Sequence, residues 1–164
     1  MKSFTILTLF SMLSTGFQNG TSLTRTPEQT GSSVISALKK NSPEEYNALL
    51  PALSEFHQIM DANNNLYGDF LTEAKKEFAI RYEREVIPSA KEAFKGVLIE
   101  GSKRGIDWTN IQFVRVKISP VTGQENPVEF DVVFSESGKE YTIRIENAFV
   151  WHGQWWVTQF INIQ

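Results

Sequence analysis

The chain has 164 residues, 41% of them hydrophobic and 12% aromatic, with a formal charge of −3 and no cysteine. That length fits one domain with a sizeable core. The missing cysteine excludes a disulfide framework, a thiolate metal site, a cysteine nucleophile and a bacterial lipoprotein anchor, and the mild acidity without a Lys/Arg strip argues against nucleic acid as a partner.

Residues 1–16 read as a secretion signal, with a cut as late as 20 as the alternative. Lys2 supplies the charge, Phe4 to Leu13 the apolar stretch, and Ser14-Thr15-Gly16 the small residues before the cut. The stretch is too short to span a bilayer, and no later segment is apolar enough to do so. An exported, non-lipidated protein, periplasmic or extracellular, is expected. Residues 17–33 are polar and read as a flexible lead-in. Asn19-Gly20-Thr21 matches the glycosylation acceptor pattern, which a linker also produces by chance.

The domain proper is expected over 34–164. Val34 to Leu38 begins a helical segment. Ser42 is a helix cap, Pro43 suits the first helical position, and Glu45 can close a capping box. Tyr46, Leu49, Leu50, Leu53, Phe56, Ile59 and Met60 then form an apolar stripe at helical spacing. Pro51 should kink that helix or divide it. Asp61 to Asn65 ends it, and Asp69 caps the next helix, whose buried side is Phe70, Leu71, Ala74, Phe78 and Tyr82. Pro88 marks a break, and Ser89 or Pro88 opens a third helix with Ala90, Ala93, Phe94, Val97 and Leu98 inward. Gly105 ends it as a left-handed cap.

After Gly105-Ile106-Asp107-Trp108 the apolar spacing changes from helical to alternating. Four strands are expected: 111–118, 128–135, 141–151 and 154–163. They are joined by a turn over 120–127 and by tight turns at Ser137-Gly138 and His152-Gly153. On the third strand Tyr141, Ile143, Ile145, Asn147, Phe149 and Trp151 share one face. Short turns make neighbouring strands antiparallel, so the fold class is α+β, with three helices packed on a four-stranded meander.

Gly105-Ile106-Asp107-Trp108, the hairpin Gly138 to Ile143, Asn147-Ala148-Phe149 and the closing Gly153-Gln154-Trp155-Trp156-Val157 resemble the nuclear transport factor 2-like (cystatin-like) superfamily. The likeness covers 34–163 and is closest to small exported bacterial members of unassigned function. It implies a curved sheet wrapped as a cone around the helices, with a pocket at its wide end. Some members are isomerases, dehydratases or hydrolases, while many bind ligands or dimerise. No catalytic residue of the superfamily carries over to this chain.

Asp61-x-Asn63-x-Asn65 opens like a calcium loop, but Leu66 stands where Gly is needed and Thr72 where a bidentate Glu is needed. No metal site or cofactor is expected. His57 with Asp61 one turn later is either a general base with its orienting carboxylate or a boundary histidine at a helix end. Asn147, pointing inward, lines a pocket or pins a bulge. Tyr82 and Tyr141 are candidate pocket hydroxyls, and His152 reads as exposed. Glu129, Asp131, Arg144 and Glu146 are explained as cross-strand charge pairs on a wet face. Trp151, Trp155 and Trp156 make the last hairpin aromatic on both sides, which suits either extra core under the N-terminal arm or an interface with a second copy or a partner. The expected function is non-catalytic binding of a small ligand or a protein. The alternatives are a small acid–base enzyme built on His57, Tyr82 and Asn147, and an inhibitor or accessory protein acting through sheet-edge loops.

Overall fold

In the computed structural model the described residues are 25–121 and 127–164. The signal segment, the acceptor pattern at Asn19 and most of the 120–127 turn lie outside them. The architecture is α+β: helical segments fill a curled antiparallel sheet, a half-barrel.

Helix α1 spans Pro27–Lys39 and begins earlier than Val34. Thr26 caps it, its hydroxyl accepting from the Gln29 amide at 3.2 Å while the Gln29 side chain accepts from the Thr26 amide at 2.9 Å. Pro27 sits in the first turn. Residues 27–33, expected as lead-in, therefore belong to the fold, and Thr30 within them is fully buried. Gly31 lets α1 lie against the sheet, because a Cβ there would stand 2.6 Å from Val116 and 2.9 Å from Phe113.

Pro51 does divide the next segment, into α2 (Pro43–Asn47) and α3 (Leu53–Ala62). Ser42 caps α2, but the Glu45 side chain pairs with Lys40 at 2.9 Å, so only half of the expected capping box is seen. A short α4 (Asn64–Tyr67) and a 3-10 turn (Gly68–Phe70) lead to α5 (Leu71–Arg81). Asp69 makes no cap bond there, and Phe70 is 77% exposed rather than buried. Pro88 does not break the chain. A π-turn (Tyr82–Val86) carries α5 into α6 (Ile87–Lys103), and its wider spacing just before Pro88 accommodates a residue that cannot donate an N–H. Gly105 takes the left-handed conformation, with φ +82°.

The strands are β1 (Gln112–Pro120), β2 (Val128–Glu136), β3 (Lys139–Trp151), β4 (Gln154–Trp156) and β5 (Ile161–Ile163). The order is β1-β2-β3, with β4 and β5 following each other along the far edge of β3. Both tight turns place two residues at positive φ, Ser137-Gly138 and His152-Gly153, matching the right-handed strand twist.

Two expectations about β3 and its partner fail for one reason. Val128 pairs with Ala148 but Phe130 pairs with Ile145, so β3 carries an extra residue, and Asn147 absorbs it at φ +58°. Beyond the bulge the faces exchange. Ile143, Ile145 and Ala148 join the main core, with Val34, Leu38, Tyr46, Phe94, Phe130 and Phe134. Phe149 and Trp151 point the other way, into a second cluster with Phe56, Ile59, Met60 and Phe78. Opposite the bulge the expected last strand splits. Thr158 leaves the ladder, donates its hydroxyl to the Glu146 carbonyl at 2.5 Å and accepts the Tyr46 hydroxyl on its own carbonyl at 2.7 Å. The Glu146 amide pairs with the Phe160 carbonyl at 2.9 Å.

Candidate functional site

The acid–base candidates do not assemble. Asp61 is paired with Lys75 at 2.5 Å and not with His57. The Nε2 atom of His57 is buried with no hydrogen-bond partner among the described residues. The Tyr82 hydroxyl donates to the Pro51 carbonyl at 2.9 Å, while its ring lies against Phe56 and Phe78. Burial, then the Glu55 charge, pushes that phenol above its ordinary range. Tyr141 stacks on Phe134 at 5.5 Å. Asn147 serves the bulge. None of the side chains of His57, Tyr82, Tyr141 and Asn147 lines the concavity at the ends of α1 and α6 or the one between α6 and β5.

The aromatic hairpin is taken up internally. Trp155 is 9% exposed and packs on Phe130 at 5.5 Å, while Trp151 and Trp156 pack on the second cluster. The Arg25 guanidinium lies 5.4 Å from the Trp156 ring and donates to the Trp155 carbonyl at 2.7 Å. Elements of this chain thus occupy both faces, with the start of the described chain over one of them. His152 is exposed and stacks on Trp151 at 4.5 Å.

The outer face of the sheet carries charge pairs, those expected of Glu129, Asp131 and Arg144 among them, while the Glu146 carboxylate accepts from Asn162 at 3.4 Å instead. Arg144 forks onto Asp131 at 2.8 and 2.9 Å and reaches Glu129 at 3.2 Å, and Arg115 forks onto Glu140. The Asp131 bond holds the Arg144 pKa above its ordinary value, and the Arg115 bond holds the Glu140 carboxyl below its own. Glu129 and Asp131 share a cation, an arrangement that serves the sheet. Among the described residues no three His, Asp or Glu side chains gather as metal ligands, and no helix is long and apolar enough to cross a membrane.

The larger concavity lies elsewhere, where α1 and α6 both end. It is an open groove of about 620 Å³, within the ~300–1,000 Å³ of ligand clefts. Leu38, Leu98, Ile99 and Trp108 give it an apolar floor, and Lys39 and Lys103 stand on its rim. Local chemistry places Trp108. Asp107 caps the 3-10 turn Trp108–Asn110 by accepting from the Thr109 amide at 3.0 Å and the Thr109 hydroxyl at 2.7 Å. These bonds, the hydroxyl's first, lower the Asp107 pKa. The indole N–H donates to the Leu98 carbonyl at 3.0 Å and to Ser102 Oγ at 3.2 Å, and the ring stacks on Phe134 at 5.7 Å. Gly101 makes room, because a Cβ there would overlap the indole. Ile99 is 58% exposed beside it.

Sequence reasoning missed this groove. Leu98 was expected on the inner side of its helix and Trp108 at the junction, but nothing joined them to Leu38 and the two lysines. The available signal was Gly101, a glycine inside a helical pattern seven residues before a tryptophan. Comparison with protein families, curated proteins and solved structures finds no match to this chain.

Proposed function

We propose that this chain is a non-catalytic binding domain of an exported protein, built on the cone-like plan of the nuclear transport factor 2-like superfamily, and that it binds through the groove between the ends of α1 and α6. The observation that carries this reading is the groove itself: an apolar floor with an exposed isoleucine and a fixed tryptophan, bounded by cations. Exposed apolar surface in a concavity favours an occupant. The dispersal of His57, Tyr82 and Asn147 supports binding over acid–base chemistry, which needs its groups converging on one reacting atom.

The test is a small-molecule screen read by amide and indole NMR shifts. The reading expects responses centred on Leu98, Ser102 and Trp108. Turnover of any substrate that is lost in His57→Ala would replace it with the enzyme reading. Export is tested by fractionating cells that express the full chain, with a processed form outside the cytoplasm expected and an unprocessed cytoplasmic protein opposing it.

A further inference from the structure

We infer that the groove takes a single-chain anionic amphiphile, with its hydrocarbon chain along Leu98, Ile99 and Trp108 and its anionic head at Lys39 and Lys103. This rests on the binding reading above and names its ligand class. The argument is charge complementarity beside apolar surface. Lys40 is committed to Glu45 at 2.9 Å. Lys39 is exposed and has no ion-pair partner among the described residues. Lys103 lies 3.8 Å from Glu100, a carboxylate already held by Arg104 at 3.2 Å. Both groove lysines therefore have an ammonium to give to an incoming anion.

Lysines near helix ends also answer the helix dipole. That accounts for the cations but leaves the apolar strip beside them unexplained. A hydrated anion would leave Ile99 and the indole wet, and a neutral hydrocarbon would leave the two cations unused. A molecule carrying both parts covers both. The second concavity, about 280 Å³ between α6 and β5, has the opposite character: Glu100 is its charged lining residue, and no cation lines it. An open groove suits a flexible chain lying along it, held by partial burial of each methylene.

The experiment titrates purified protein with decanoate, decanol and phosphatidylglycerol vesicles, following the indole N–H resonance of Trp108. That resonance is assigned by its loss in Trp108→Phe, or, should that variant not fold, replaced by the Leu98 and Ser102 amides. Decanoate is expected to shift it saturably. Octanoate should bind about fourfold more weakly, at about twofold per half-covered methylene. Lys39→Gln and Lys103→Gln should each weaken decanoate about two- to fivefold, leaving decanol unchanged. Both lysines are exposed at helix ends, so the variants should stay folded, with a thermal midpoint lowered by a few degrees at most. Equal binding of decanol and decanoate, indifferent to the lysine variants, overturns the anionic class and leaves the binding reading standing. Shifts with vesicles alone move the occupant to a bilayer surface and also overturn it. Shifts at other residues, or none with any probe, remove the groove from both readings.

Discussion

Replacing Gly101 with alanine should destabilise the protein, while the same change at Gly96, on the same helix, should stabilise it. In isolation both gain about 0.5–1 kcal/mol, because alanine loses less backbone freedom than glycine in a helix. Gly96 is exposed and its Cβ would meet nothing within 4 Å, so it should realise that gain. At Gly101 the new methyl would overlap Cζ2 of Trp108 and stand 2.9 Å from Cε2 and Cη2, well inside the 3.4–4 Å of ordinary contact. The indole cannot withdraw freely, since its N–H is bonded to Leu98 and Ser102 and its face stacks on Phe134. Overpacking costs about 1–3 kcal/mol and a displaced hydrogen bond about 1 kcal/mol more. Set against the helix gain, the net loss is about 1–3 kcal/mol. Urea unfolding followed by circular dichroism measures both, and each kcal/mol corresponds to about 2–4 °C in Tm for a chain of this size. Equal stabilisation by the two substitutions would mean that Trp108 does not sit over Gly101, and the groove would lose its floor.

Tyr46→Phe should cost about 1–2 kcal/mol near neutrality, because it strands the buried Thr158 carbonyl. Burial also pushes the Tyr46 phenol far above its ordinary value of about 10. Above that pH the unfolded chain gives up a proton that the folded chain keeps. Stability should therefore fall as pH rises past about 10, by up to about 1.4 kcal/mol per pH unit from this group, and Tyr46→Phe should flatten that slope in urea titrations at pH 9–11.5. At the bulge, Asn147→Gly should be close to neutral and Asn147→Val should cost about 2 kcal/mol, since a β-branched residue resists φ +58°; equal thermal midpoints would contradict the left-handed bulge. Phe78→Ala should cost about 3–4 kcal/mol and speed amide exchange in α3 and α5 before α6. Uniform loss of protection would show that the second cluster does not open by itself.

The sequence made the α+β class, the division at Pro51, the Gly105 cap and both positive-φ turns legible, because each rests on local chemistry. Thr26-Pro27-x-Gln29 was equally local, a capping pattern hidden in a stretch whose Ser, Thr and Gly content suggested a linker. Phe70 misled because it fits the apolar spacing of α5 yet lies before its first residue, in the 3-10 turn. The faces of β3 were not legible. Alternation from Tyr141 to Trp151 assumes an unbroken period of two, and one inserted residue reverses the far half without leaving an apolar signature. The split between β4 and β5 follows from that same insertion. Of the candidate site residues, Tyr82 and Asn147 turned out to hold the fold. The groove depends on three separate segments meeting, the ends of α1 and α6 and the Trp108 turn, which no short window of the sequence contains.

The extra residue at Asn147 makes β3 a shared wall between two chambers, and which chamber each side chain enters depends on whether the count along the strand is odd or even. Excising Asn147 alone would close the bulge into regular pairing and leave Ala148 on the Ile145 side and Phe149 on the other. Excising Glu146 and Asn147 together would shift the count by one and send Ala148 and Phe149 each to the wrong room. At this point of the ribbon, loss of one residue should be the milder injury and loss of two the graver, because tolerance to indels here follows parity.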